Sequence, residues 1–169
     1  MVNSVIKVSG NSPESFTLSE HPVSKPWLKD YDIHNSPSVL STRFDLSNWA
    51  IFLASNDAQP IGGYIVAHNT PGVDMLQGRT DLAVLWDIRI DPNYRGKSIG
   101  RCLFEASITW ARSRGCVELH VETQNVNVPA CRFYQSMGCT LIRVVRNAYN
   151  KFPDEHQLIW HRTISGDSI

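Results

Sequence analysis

The stretch Asp91-Pro92-Asn93-Tyr94-Arg95-Gly96-Lys97-Ser98-Ile99-Gly100 joins an apolar run to a helical pattern. A helix N-terminus presents unpaired N–H groups and partial positive charge. Glycine lets backbone approach a ligand closely, and Arg95 and Lys97 add local cations. Such a loop suits a pyrophosphate; a tight turn with solvated basic residues is the competing reading. It is neither GxxxxGK[ST] nor GxGxxG, which disfavours a nucleoside triphosphatase and a dinucleotide dehydrogenase. Acid–base candidates lie nearby. Asp87 sits between Trp86 and Ile88 in the run LAVLWDIRID, and an aspartate there needs a partner or a chemical task. Its structural alternative is an ion pair with Arg89 or Arg143. Glu122 is a second candidate, and His120 alternates with it onto one side of a strand; His120 reads more simply as a satisfied histidine.

Composition narrows the classes. The chain has 169 residues, 42% hydrophobic and 19% charged, with 16 Lys+Arg against 16 Asp+Glu. That fits one globular domain over residues 1–164, with 165–169 as a frayed tail. Charge balance argues against a nucleic-acid partner, so any anion site is local. Cys102, Cys116, Cys131 and Cys139 show no CxxC spacing, so neither a metal site nor a redox pair is expected. No signal peptide or membrane span is read, and a cytoplasmic protein with reduced thiols is expected.

The elements that must position these residues follow from periodicity. Val5–Val8 reads as a short strand, and Pro26–Tyr31 as a turn or two of helix. Trp49–Ala54 and Ile61–His68 read as a hairpin around Asn56-Asp57-Ala58-Gln59-Pro60. Leu82–Asp91 is a strand buried on both faces. Ile99, Leu103, Ala106 and Trp110 form a helical stripe ended by Gly115. Val117–Thr123 is a strand, Pro129–Met137 a helix, and Cys139–Val145 and Gln157–Thr163 are strands. The middle has a parallel strand–helix–strand rhythm and the ends look antiparallel. The fold class is therefore α/β (α+β), a mixed sheet with helices on its faces.

Here the sequence resembles the GCN5-related N-acetyltransferases. Arg95-Gly96-Lys97-Ser98-Ile99-Gly100 is similar to that family's acetyl-CoA loop, (Q/R)-x-x-G-x-(G/A), with Ser98 where glycine is usual. Asn127-Val128-Pro129-Ala130-Cys131-Arg132-Phe133-Tyr134 is similar to its second motif, N-x-x-A-x-x-(F/Y)-Y, followed by Met137-Gly138-Cys139. The resemblance covers roughly residues 49–164. It implies a mostly antiparallel sheet splayed at a central parallel strand pair, with acetyl-CoA as co-substrate. It further implies that Ile88, Arg89 and Ile90 hold the pantetheine arm, the Ile90 N–H polarising the thioester carbonyl. The loop Arg95, Gly96, Lys97, Ser98, Ile99, Gly100 and Arg101 holds the pyrophosphate, while Asn127, Ala130 and Tyr134 are further cofactor contacts. Tyr134 is the expected acid for the leaving thiolate.

The implied reaction needs a neutral amine, whereas an alkylamine has a pKa of about 10.4. Asp87, Glu122 or a water relay must take its proton. Val121–Asn127, Ala148–Phe152 and Trp160 look like the branch that contains streptothricin acetyltransferases. The expected function is transfer of an acetyl group to a small-molecule amine. Alternatives are a protein N-terminal or lysine acetyltransferase and a catalytically weak acyl-CoA-binding regulatory module. Asp74 and Asp81 could attract a cation or simply be solvated. Pairing of terminal strands is common in the family, so the resemblance allows a homodimer; no membrane partner is expected.

Overall fold

The computed structural model describes residues 1–31 and 36–164. The chain falls into two compact units, one of Met1–Pro37 and Glu122–His161, the other of Ser38–Val121 and Arg162–Ile169. Among the described residues the strands are β1 Val2–Ser9, β2 Thr17–Trp27, β3 Ala50–Asn56, β4 Gln59–His68, β5 Leu82–Ile90, β6 Glu118–Gln124, β7 Thr140–Val145 and β8 Gln157–Thr163. The helices are α1 Leu40–Arg43, α2 Ile99–Ser113 and α3 Val128–Ser136. β1 and β2 form their own sheet, and the hydrogen-bonded order of the rest is β3-β4-β5-β6-β8-β7. β3–β4, β4–β5 and β7–β8 are antiparallel, and β5–β6 is parallel. This is the mixed sheet expected. The strands from Ala50 onward lie within a few residues of their predicted bounds.

In the second unit, β3 and β4 meet at Asn56↔Gln59, with Asp57 and Ala58 at φ 47° and 67°. Two successive left-handed residues make a turn whose twist matches a hairpin. β5 pairs in parallel with β6 from Leu82↔Glu118 to Leu85↔Val121, and that register stops there although β5 runs on to Ile90. Leu82, Ala83, Val84 and Leu85 are buried, as a strand covered on both faces requires. Leu40, Trp49, Ile65, Ala67, Val73, Leu76, Leu82 and Val84 make one apolar cluster. Trp86 packs on its rim, 5.2 Å from Trp49 and 5.3 Å from Phe44 between ring centroids.

α2 packs on β4 and β5 through Leu103, Phe104, Ser107, Ile108 and Ala111. The predicted stripe of Ile99, Leu103, Ala106 and Trp110 is therefore displaced around the helix: Ala106 is exposed and only Leu103 is fully buried. Phe104 and Ile108 make the stronger apolar face, and a stripe read at spacings of three and four can slide by one residue. Gly115, at φ 77°, follows the helix as expected.

The first unit holds the largest departure. β1 and β2 form an antiparallel ladder from Ser9↔Thr17 to Val2↔Trp27, with Ser4 opposite Pro22. Pro22 and Pro26 do not break this strand, because a two-stranded hairpin leaves one side of each strand outside the ladder, where a missing N–H costs nothing. For the same reason Pro26–Trp27 is strand and not helix. β1 is tied to the end of β6: the Ile6 N–H donates to the Asn125 carbonyl at 2.9 Å, and Asn125 Nδ2 donates to the Ile6 carbonyl at 3.3 Å. The buried Asn125 also accepts from the His156 N–H at 2.8 Å through Oδ1. The predicted frayed tail, 165–169, lies outside the described residues. All four cysteines are free thiols, and only Cys102 is exposed.

Candidate active site

In the second unit, the loop after β5 begins with a 3₁₀ turn, Pro92–Tyr94, whose Asn93 N–H donates to Asp91 Oδ1 at 2.8 Å. Gly96 lies at φ 76°, and a Cβ placed there meets nothing within 4 Å; its lack of a side chain serves backbone conformation and access. Ser98 lies at φ 61°, ψ 4°. This left-handed conformation explains the glycine that the family usually has there, and Ser98 adopts it at a cost of about 1–2 kcal/mol. Ser98 is the N-cap of α2, makes no side-chain capping bond, and no acidic residue lies in the first turn. Arg95, Lys97 and Arg101 are exposed around this helix start, with Lys97 Nζ 4.8 Å from the centre of the Tyr94 ring. Helix-end N–H groups without a capping carboxylate, ringed by cations, fit a pyrophosphate.

Upstream on β5, Ile88 and Ile90 are half-buried and Arg89 is exposed. Asp87 and Arg89 share a strand face and form an ion pair at 2.5 Å. Of the two partners open to Asp87 in the sequence, the structure selects Arg89. Asp81 and Glu118 of this unit are also paired, both with Arg79. Asp81 receives both Arg79 Nε at 2.8 Å and Nη2 at 3.0 Å, and Glu118 receives Arg79 Nη1 at 3.0 Å. The hydrogen bonds from Arg79 hold the Asp81 carboxyl below its ordinary range. His120 is buried, with Nε2 3.3 Å from Glu118. Asp74 borders a cavity of about 460 Å³ within the loop 69–79, which none of the predicted catalytic or cofactor residues lines.

In the first unit, Asn127 caps α3: its Oδ1 accepts from the Ala130 N–H at 3.4 Å, and Pro129 fills the first turn. Tyr134 is buried near the helix end, its ring 5.3 Å from that of Phe133, edge to face. Its carbonyl accepts from the Met137 and Cys139 N–H groups at 3.1 and 3.0 Å, closing α3 where Gly138 turns left-handed. Glu122 has both oxygens engaged, Oε1 by the Tyr149 hydroxyl at 2.6 Å and Oε2 by Gln157 Nε2 at 2.7 Å. Burial, followed by the charge of Glu122, drives the Tyr149 phenol far above its ordinary pKa.

Tyr149 borders a cavity of about 340 Å³, together with Tyr31, Gln124, Phe152, Lys29 and Glu155. Lys29 Nζ lies 2.7 Å from both Glu155 oxygens and 3.9 Å from the centre of the Phe152 ring. The structure thus places Glu122, Asn127 and Tyr134 in one unit and Asp87, Ile88–Ile90 and the Arg95–Arg101 loop in the other. Tyr149, Gln157, Lys29 and Glu155 escaped the sequence reading. Lys29, Tyr149 and Gln157 lie in segments read there as structure or resemblance, and no local spacing ties Tyr149 or Gln157 to Glu122.

A model of the acetyltransferase (GNAT) family matches residues 16–139. The chain is 26% identical to streptothricin acetyltransferase A of Bacillus subtilis over 148 residues, 86% of this chain and 79% of that protein. It is 29% identical to a streptothricin acetyltransferase of Escherichia coli over 153 residues, 89% and 78% of the two chains. Among solved structures, a nourseothricin acetyltransferase superposes with a TM-score of 0.71 at 26% identity, covering 97% of this chain and 86% of that one. A Bacillus anthracis protein described as a streptothricin acetyltransferase, solved with acetyl coenzyme A, shares the fold with a TM-score of 0.78 at 24% identity over 96% and 86%. With the family model, both motifs and the uncapped helix start in agreement, this chain belongs to the GNAT family and is an N-acetyltransferase that uses acetyl-CoA.

Proposed function

We propose that the protein acetylates a primary amine of a small molecule, an aminated antibiotic of the streptothricin kind, by direct attack within a ternary complex. The observation that carries this is where similarity extends. Two relatives named for streptothricin match 86% and 89% of the chain, and a third, from Streptomyces lavendulae, matches 52 residues, 31% of it, at 46% identity. The ribosomal bS18-alanine N-acetyltransferases match only 69 residues, 41% of it, at 35% identity. Likeness to the first two thus reaches well beyond the 69 residues shared with the protein-modifying relatives, and the remainder is where an acceptor site can differ.

In this reading the backbone of Ile88, Arg89 and Ile90 holds the pantetheine arm, and that of Arg95, Gly96, Lys97, Ser98, Ile99, Gly100 and Arg101 the pyrophosphate. Asn127 and Ala130 complete the cofactor contacts. Acetyl-CoA supplies an acyl carbon already activated by sulfur. Tyr134 protonates the departing sulfur. Glu122 is preferred to Asp87 as base, because its partners are the neutral donors Tyr149 and Gln157, whereas Asp87 is paired with the Arg89 guanidinium. Ser98 adopts the backbone that glycine would, which supports an intact loop over a catalytically weak module.

The test is titration with acetyl-CoA by calorimetry, followed by thiol-release assays with streptothricin, 1,4-diaminobutane and an alanine-initiated peptide. Acetyl-CoA binding with turnover of the small amines, and a loss of about 10²-fold in kcat for Tyr134→Phe at unchanged acetyl-CoA affinity, is the expected result. Turnover of the peptide alone moves the protein to the N-terminal acetyltransferases.

A further inference from the structure

We propose that the cavity beside Tyr149 receives the acceptor's ammonium group, and that the Tyr149 hydroxyl passes the amine's proton to Glu122. This rests on the small-molecule reading above and specifies how the acceptor is held and deprotonated.

Glu122 does not border the cavity, and Tyr149 does. Both Glu122 oxygens are already bonded, to Tyr149 and to Gln157. An amine in the cavity therefore meets the phenol before the carboxylate. A phenol has one proton and two lone pairs. Its proton points at Glu122 at 2.6 Å, so the oxygen faces an incoming N–H as an acceptor. Gln124, at the end of β6, borders the same cavity and bonds to the hydroxyl. The phenol proton is already aimed at Glu122, so Tyr149 takes the amine's proton as it gives its own to the carboxylate.

The cavity wall also contains a worked instance of ammonium recognition. Lys29 rests on both oxygens of Glu155, over the Phe152 ring, with the Tyr31 ring centre 5.7 Å away. Carboxylate plus aromatic face is the standard cradle for an alkylammonium. The Lys29–Glu155 pair is self-neutralised, and Asp30 and Lys151 at the border offset each other in charge. Among the described residues, the charge of Glu122 behind Tyr149 adds an attraction for an incoming cation. About 340 Å³ lies at the small end of ligand pockets and suits one amine-bearing arm.

The step balances. The ammonium gives one proton to the Tyr149 oxygen as the Tyr149 proton moves to Glu122. The amine nitrogen bonds to the acetyl carbon and the carbon–sulfur bond breaks, its electron pair leaving on sulfur. The amide nitrogen sheds its second proton, which balances the one that sulfur takes up. Glu122 releases its proton to water, so one proton appears in solution per turnover.

The test uses the full chain with streptothricin and 1,4-diaminobutane as acceptors. Tyr149→Phe removes one oxygen and Glu122→Gln removes the proton sink. Each is expected to lower kcat/KM by about 10²-fold with acetyl-CoA affinity unchanged in calorimetry. The double variant should lose no more than either single one, as for residues acting in one relay. In both single variants the residual rate should climb tenfold per pH unit up to the amine pKa, because only amine already neutral in solution reacts. Wild-type rate and pH profile in Tyr149→Phe, or losses that multiply in the double variant, would overturn the relay while leaving the acetyltransferase reading intact. A wild-type protein that binds acetyl-CoA yet acetylates neither amine overturns both.

Discussion

Lys29 and Glu155 lie 126 residues apart in sequence, yet both Glu155 carboxylate oxygens stand 2.7 Å from the Lys29 ammonium, with side-chain exposures of 10% and 6%. A pair this enclosed is costly to break from one side, because the remaining charge stays buried alone. Glu155→Ala is expected to lower unfolding free energy by about 3–5 kcal/mol in urea titration. Lys29→Met with Glu155→Leu should lose less than Glu155→Ala alone. A deficit under about 1 kcal/mol for Glu155→Ala would show that water reaches the pair.

Ser98→Gly should raise stability. Serine at φ 61° bears a strain that glycine lacks. Part of the gain is returned as glycine's extra freedom in the unfolded chain, leaving about 0.5–1 kcal/mol, read as an upward shift of a few degrees in thermal midpoint. A drop in midpoint would mean that the serine side chain contributes something its backbone does not reveal.

Asn125→Ala should loosen the N-terminal hairpin specifically. The substitution strands the Ile6 carbonyl and the His156 N–H, both partnered by the Asn125 side chain. At about 1–3 kcal/mol for a buried polar group left unpaired, the loss should show as faster amide exchange along β1. Exchange in β4 and β5, which belong to the other unit, should remain slow.

Acid sensitivity has a named contributor. Hydrogen bonds from Arg79 hold Asp81 below its ordinary carboxylate pKa when folded. Its contribution is therefore complete above the unfolded value, near pH 4, and vanishes as pH falls through the lower folded value. Asp81→Asn should flatten the decline in thermal midpoint between pH 5 and pH 2 without moving the plateau above pH 6 in slope. An unchanged acid limb would assign that decline to other carboxylates.

Legibility tracked locality. β8 and the hairpin turn at Asp57–Ala58 depend on residues adjacent in sequence, and both were readable. The phosphate loop and the Asn127–Tyr134 cap-and-helix are contiguous too, so their residue types pointed to chemistry directly. β2 was obscured because Pro22 and Pro26 read as interruptions unless the strand is known to have only one paired side. The α2 face slid because Ala106 and Trp110 fit the same spacing as Phe104 and Ile108. Glu122 was legible as a carboxylate on a strand, but its two partners were not: Gln157 and Tyr149 come from 35 and 27 residues away. The same holds for Lys29 and Glu155. A chemical group assembled across distant segments leaves no period in the sequence.

The two prolines of β2 have a consequence for the protein in a crowded solution. β1 already gives Ile6 on its other side to Asn125, and β2 is mostly exposed along its length. An exposed strand rim is a template on which foreign strands can dock and aggregates can grow. Pro22 and Pro26 each delete a donor there and fix the local backbone angle, so a visiting strand finds a broken row of contacts. The residues that hid this strand from a sequence reader also shield it from other chains.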